Sequence, residues 1–317
     1  LACLRATAQV KKQPLYKYLS EALGIQKGES LSGNRFILPV PLINVINGGV
    51  HAKNNLQIQE FMIVPFDFST FQEALRASCE VFHQLKKDLD SKGLSTNVGD
   101  EGGFAPQFSH HHQAMDFLLS SIEKCGYSEQ IGLALDCAAS EFYEGGFYHF
   151  EGKKQKAEEL TALYKSWAQQ YPLLSIEDGL AEEDWEGWKF LTKEVGDQIQ
   201  VVGDDLFVTQ TQRLKKGIQE KIANSLLVKC NQVGTISETR EAVEVARQAG
   251  YTCVMSHRSG ETEDTLISDL AVGWSCGQIK TGSVCRGERT AKYNRLLRIE
   301  EELGDLGKFY GKQAFMF

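Results

Sequence analysis

The chain has 317 residues, of which 42% are hydrophobic and 24% charged, and carries a net charge of −8. That composition excludes a disordered chain, allows a large core, and argues against nucleic acid as the main partner. No apolar run reaches membrane-spanning length, no signal peptide is read, and the eight scattered cysteines, without a C-x-x-C, fit reduced thiols of a cytosolic protein.

Leu1–Val10 is Ala-rich and helical. The chain opens on Leu1, without methionine and inside this helix, so a preceding segment is expected to have been removed. Pro14 interrupts, Leu15–Leu23 resumes a helix that stops at Gly24, and Gly28–Arg35 reads as a polar linker with a domain boundary near Ser32. Phe36–Val45 carries Pro39 and Pro41, which predicts an irregular or edge strand. Asn47-Gly48-Gly49 is a turn delivering His51, and Gln57–Val64 follows as a strand bearing Gln59 and Glu60. Two strands in succession break the βα alternation seen later. Ser69–Leu89 is a helix with Thr70 and Glu73 as a capping box. Asn97–Gly103 is a Gly-flanked loop with Asp100 and Glu101. His110-His111-His112 reads as the solvated start of a helix over Gln113–Cys125 and not as a metal tract. The four tryptophans read as packing residues.

From there one pattern repeats. Ile131–Asp136, Leu173–Asp178, Ile199–Asp205, Ser225–Lys229, Tyr251–Arg258 and Gly277–Lys280 are short β-rich runs, each closing on a charged or catalytic-type residue. Helices are predicted between them over Glu183–Val195, Thr211–Ile222, Ile236–Ala249 and Asp264–Gly273. From Glu177 the strand ends fall at Asp204, Lys229, His257 and Lys280, at intervals of 23 to 28 residues. A (β/α)8 barrel spends roughly 30 residues per unit. Asp136 lies 41 residues before Glu177, and the Gly-rich, aromatic Tyr143–Gly152 reads as an inserted hairpin that accounts for the excess. The expected fold is therefore α/β, with Asp136, Glu177, Asp204, Lys229, His257 and Lys280 around one barrel mouth.

Three carboxylates converging there, Asp136, Glu177 and Asp204, repel one another unless neutralised. A hard divalent cation does that; three separate salt-bridged acids are the plain alternative. Lys229 ends an apolar strand. It is either a strand-end charge reaching solvent or a desolvated amine whose pKa burial and nearby cations lower into the range of a usable base. Lys280, followed by Thr281 and Gly282, suits a loop for a polar substrate. Ser256-His257-Arg258-Ser259-Gly260 puts a fork-shaped cation and two hydroxyls in a strand-to-helix turn, a seat for an oxyanion or phosphate, or else a capped Gly turn. Glu101, Glu60 and His51 carry little signal singly.

Taken in order, NVINGGVHA, IQEFM, VGDEGGFAP, LDCAASEF, SIEDGLAEEDW, VGDDLFVT, SHRSGETED, GQIKTGS and KYNRLLRIEEELG resemble the enolase family, its bacterial form above all, over Leu1 to Leu303. The resemblance implies an enolase-type TIM barrel with an irregular ββ start over residues 33–317, and a remnant of an α+β N-terminal domain over 1–32. It implies a glycolytic lyase that reversibly dehydrates 2-phosphoglycerate to phosphoenolpyruvate. Asp136, Glu177 and Asp204 would hold the first of two Mg²⁺ ions; the second would lack a ligand from an N-terminal loop. Lys229 would take the carbon 2 proton. Glu101, with Glu60 beside it, would assist departure of the carbon 3 hydroxyl. Lys280 would face the substrate carboxylate, Arg258 and Ser259 the phosphate, and His51, Gln59 and His257 would complete the site, Glu60 and His257 among the catalytic groups. A cytoplasmic homodimer or higher homo-oligomer, needing neither nucleic acid nor membrane, is implied as well. Cys230, where an apolar residue is more usual, and Gly287, where serine is, depart from the family pattern.

Overall fold

The computed structural model describes residues 1–22 and 36–315. The boundary expected near Ser32, its linker and the helix stop at Gly24 lie outside the described residues. Eight strands close a barrel: β1 (Val40–Asn47), β2 (Glu60–Pro65), β3 (Ile131–Asp136), β4 (Leu173–Glu177), β5 (Gln200–Gly203), β6 (Ser225–Val228), β7 (Thr252–Ser256) and β8 (Gly277–Lys280). They stand around the ring in chain order, with β8 returning to β1. The barrel strands are buried almost throughout, because one face fills the barrel and the other meets the helices; hence the near-continuous apolar runs.

The two-strand start is real and has a geometric consequence. β2 is antiparallel to both β1 and β3, while the remaining pairs are parallel. A reversed strand presents its first residue where its neighbours present their last. Glu60 accordingly pairs with Asn47 and Asp136 at the mouth.

Phe36–Val45 is not an edge. It splits at Pro39 into Phe36–Leu38, which pairs with Gly307–Phe309 in a separate two-stranded sheet, and β1, which lies inside the barrel. Pro41 is tolerated because it pairs only with Ile279 of β8. Pairing with β2 starts at Ile43, so its missing N–H removes no rung there. The inserted segment is longer than a hairpin: Tyr143–Glu144, Phe147–Phe150 and Lys153–Gln155 form a three-stranded antiparallel sheet. Gly145 and Gly146, both with positive φ, make its tight first turn. Its Tyr148 hydroxyl donates to Asp184 at 2.7 Å and accepts from the Ala181 N–H at 3.0 Å, so the insert braces the loop after β4.

The Phe71–Ser91 helix starts as expected, with Thr70 accepting from the Glu73 N–H at 3.1 Å. Besides the single turn Cys230–Val233, two long helices escaped the sequence reading, Ala157–Gln170 and Gly287–Leu303. Neither starts on a Ser, Thr, Asp or Asn cap, and the buried face of the second includes Arg289 and Lys292, which hides its apolar period. No helix among the described residues is long and apolar enough to cross a membrane.

Ala2–Val10 and Leu15–Ala22 dock on the barrel's outer layer. Asp269 accepts from the Tyr16 N–H at 3.2 Å and is held by Arg295 at 2.7 Å. A Cβ on Gly273 would stand 2.7 Å from Leu19 Cβ and 2.9 Å from the Tyr16 carbonyl oxygen. Gly273→Ala is therefore expected to loosen this docking at a cost of about 1–3 kcal/mol. Faster protease cleavage near Lys11 and Lys12 checks it; unchanged cleavage would show that the helix shifts without penalty.

Candidate active site

Lys280, the last residue of β8, is 3% exposed and sits among acids. Its Nζ lies 2.8 Å from Asp136 Oδ2, 2.9 Å from Glu177 Oε2 and 3.1 Å from Glu60 Oε1. Burial alone would lower its pKa, but these carboxylates outweigh burial and hold it well above the usual lysine value. One ammonium cannot satisfy three acids equally. Burial pushes Asp136 up, yet Lys280 overrides that and keeps it low. Glu60 and Glu177 stay well above the usual range through burial and their acidic neighbours.

Asp204 follows β5 and faces Lys229, which follows β6. Lys229 Nζ donates to Asp204 Oδ2, and Gln232 Nε2 donates to Asp204 Oδ1 at 2.9 Å. Thr209 ties the pair together, donating to Gln232 Oε1 at 2.6 Å and accepting from the Lys229 N–H at 3.0 Å. Of the two readings of Lys229, the amine with a lowered pKa is not the one found. Burial does lower it, but Asp204 and Glu177 outweigh burial and the value is raised. Lys280 also acts to lower it, but the carboxylates prevail.

Glu101 reaches the mouth from the Asn97–Gly103 loop, which has to press closely on β1. Gly102 has φ +87°, and a Cβ on Gly103 would stand 2.8 Å from Asn44 Oδ1. Glu101 accepts from Asn44 Nδ2 at 3.3 Å and lies 3.3 Å from His257 Nε2 and 3.9 Å from His51 Nδ1. Ser259 Oγ is 2.8 Å from His51 Nε2 and donates to Glu101 Oε1 at 3.3 Å. Burial pushes Glu101 up, but His257, His51 and Lys280 outweigh it and hold its carboxyl well down. Both histidines are lowered, chiefly by burial. His51 is thus a buried member of the cluster, 3.8 Å from Glu60.

Nearly all the residues expected from the sequence therefore meet. Gln59 is tied in through its backbone, donating to the Asp136 carbonyl at 3.0 Å. Arg258 is exposed at the rim, its Nη1 3.4 Å from Asn231 Oδ1. The His tract departs from its solvated reading at one position. His111 is buried, with Nε2 accepting from the Gln57 N–H at 2.8 Å and Nδ1 2.8 Å from Glu151. It pins the inserted sheet to the segment leading into β2.

Residues 35–316 match the family model described as the enolase C-terminal TIM barrel domain. The chain belongs to that family. Membership makes it an enzyme-type barrel of the enolase superfamily, and the acidic mouth is where such a domain would hold a metal ion. Among the described residues, two groups have ligand atoms that all lie within 4.8 Å: His51, Glu60 and Glu101, and Asp178, Asp204 and Asp205. The expected trio is thus split. Asp136 and Glu177 share Lys280, while Asp204 is turned toward Lys229 beside Asp178. Asp178 is a strut rather than a donor: its carboxylate accepts from the N–H groups of Asp204 and Asp205, at 2.9 Å each, from a left-handed backbone position with φ +43°.

The residues nonetheless fit a hard cation. Glu177 Oε1 is a buried carboxylate oxygen with no hydrogen-bond donor among the described residues. Adjacent barrel strands β3, β4 and β5 carry the three acids at their ends, an all-oxygen donor set that suits a hard divalent cation. Gln232 and Arg289 were missed by the sequence reading, the only local hint being that one lies within three residues of Lys229 and the other in the CRGER stretch; Asp178, read as closing its strand run, was given no role. Lys280→Met should leave three buried carboxyls without their cation. A loss of about 3–5 kcal/mol in chelator is expected, with more of it recovered on adding Mg²⁺ than Mg²⁺ adds to the unsubstituted chain. Urea unfolding with and without the ion reads both; equal Mg²⁺ effects in the two chains would count against the shared cation site.

Proposed function

We propose that this chain reversibly dehydrates 2-phosphoglycerate to phosphoenolpyruvate and water. The observation that carries the reading is positional. Lys229 follows β6 and Glu60 opens β2, four strands apart in either direction around a ring of eight. Dehydration breaks a C–H bond at carbon 2 and a C–O bond at carbon 3, and a base and an acid on opposite sides of the substrate serve both.

Lys229 Nζ takes the carbon 2 proton. Glu101 and Glu60, which share His51, serve the departing hydroxyl. Burial and the neighbouring Glu101 push the Glu60 carboxyl well up, while His257, His51 and Lys280 outweigh burial and hold Glu101 down. Lys280 faces the substrate carboxylate. Arg258 and Ser259 bind the phosphate, which an exposed fork-shaped cation at the rim suits, and His51, Gln59 and His257 complete the polar wall. Asp136, Glu177 and Asp204 hold the proposed Mg²⁺; when bound, the ion supplies positive charge that offsets the carboxylates keeping Lys229 protonated and the charge that builds on the substrate carboxylate. On the resemblance alone we extend the proposal to a cytoplasmic homo-oligomer.

Two measurements test the assignment. Lys229→Ala should abolish exchange of the carbon 2 proton with solvent deuterium while substrate still binds; exchange at near the original rate would remove Lys229 from the role. Asp204→Ala should weaken Mg²⁺ binding in titration calorimetry more than Glu101→Ala does, and equal losses would contradict the division between metal ligand and leaving-group acid.

A further inference from the structure

Arg289 lies in the first turn of the Gly287–Leu303 helix and is 1% exposed. A guanidinium has five N–H donors and no acceptor. Here Nη1 lies 2.6 Å from His257 Nδ1 and donates to the Arg258 carbonyl at 2.7 Å. Nη2 donates to the Ser259 carbonyl at 2.6 Å and to the Asp100 carbonyl at 3.1 Å. Nε lies 3.5 Å from Glu288 Oε1. The four acceptors of Nη1 and Nη2 belong to two loops at the mouth, the one after β7 and the one bearing Glu101. Room for the arginine stem is reserved by Gly282, where φ is +78° and a Cβ would stand 2.7 Å from Arg289 Cδ.

The donor-only chemistry of Arg289 determines the state of His257. Nδ1 must accept, so the proton of the neutral ring is on Nε2, the nitrogen 3.3 Å from Glu101 Oε2. We propose that Arg289 is a positioning residue that fixes His257 as the Nε2–H tautomer, its proton on the nitrogen facing Glu101, and locks the Glu101 loop to the Arg258–Ser259 loop. Arg289 touches no reacting atom; it acts through the imidazole and the two loops. With the proton on Nδ1 instead, the ring would turn a lone pair toward the Glu101 carboxylate and a hydrogen toward a cation. Doubly protonating the ring also costs the Arg289 bond. Burial, with Arg289 and Lys280 nearby, lowers the His257 pKa in keeping with a neutral ring, against the pull of Glu101.

The test is the tautomer itself, read by ¹⁵N NMR of the whole chain labelled at histidine, with the His257 signals assigned by their loss in His257→Asn. The expected result near neutral pH is a protonated Nε2 and a bare Nδ1. In Arg289→Met the signals should move toward the other tautomer, and Arg289→Lys, which keeps a donor but not the fork, should restore them in part. The remaining six histidines serve as the control for folding. With 2-phosphoglycerate, Arg289→Met should lose kcat on the order of a hundredfold, as for removal of one preorganised donor, with KM little changed. A proton on Nδ1 in the unsubstituted chain, or an unchanged tautomer in folded Arg289→Met, would overturn the assignment. Should Arg289→Met fail to fold, the tautomer of the unsubstituted chain decides. That readout needs no substrate, so failure of the proposed reaction would leave it intact.

Discussion

The buried ammonium of Lys280 is the interaction on which the rest of the mouth depends. Two like charges about 4 Å apart repel by several kcal/mol in the partly dry interior of a protein, and this barrel buries Glu60, Asp136 and Glu177 around one point. They are tolerated because the barrel closes. Lys280 is 144 residues from Asp136 and 103 from Glu177, and only the return of β8 to β1 brings the cation into reach. Fold and charge balance are thus one constraint here. An open sheet with the same strands would carry the acids without their counter-ion.

That constraint also explains which parts were legible in advance. The beat of strand ends follows from the length of a βα unit, so Glu177, Asp204, Lys229, His257 and Lys280 could be assigned to one rim from spacing alone. What those side chains do to each other could not. Lys229 reads as either a strand-end charge or a desolvated base, because the sequence does not show its neighbours. The structure gives it Asp204 as partner, and the direction of its shift reverses. Pro41 reads as an edge signal because a sequence does not show which side of a strand is paired. His111 reads as solvated because its partners, Gln57 and Glu151, lie 54 and 40 residues away.

Arg289 was illegible for a related reason. In the first turn of a helix rich in charge, an arginine is ordinarily a solvated residue, and nothing within a turn of it announces otherwise. Its acceptors come from segments 30 to 32 residues and 189 residues distant. A buried cation held mostly by backbone carbonyls and an imidazole, with the nearest acid, Glu288, 3.5 Å away, is not announced by a complementary acid in the sequence. Asp178 is the mirror case, a buried anion whose partners are two backbone N–H groups. Both are residues that hold loops, and loop-holding chemistry is written in main-chain atoms common to every residue.

The antiparallel second strand then takes on a functional meaning. In a uniform βα ring every side chain at the mouth comes from a strand's C-terminal end. Reversing β2 lets its first residue, Glu60, reach the rim directly beside Asp136. The long path from β2 to β3 also frees the Asn97–Gly103 loop to fold over β1 and insert Glu101. The ring consequently divides by charge. Carboxylates stand at the ends of β3, β4 and β5, Lys229 follows β6, His257 and Arg258 follow β7, and Lys280 ends β8. A substrate that is anionic at both ends has one orientation that places one anionic end toward a cation held by the acids and the other toward Arg258. The acid pair then stands across from Lys229. The irregular start of the barrel is what puts Glu60 on the side of the ring opposite Lys229.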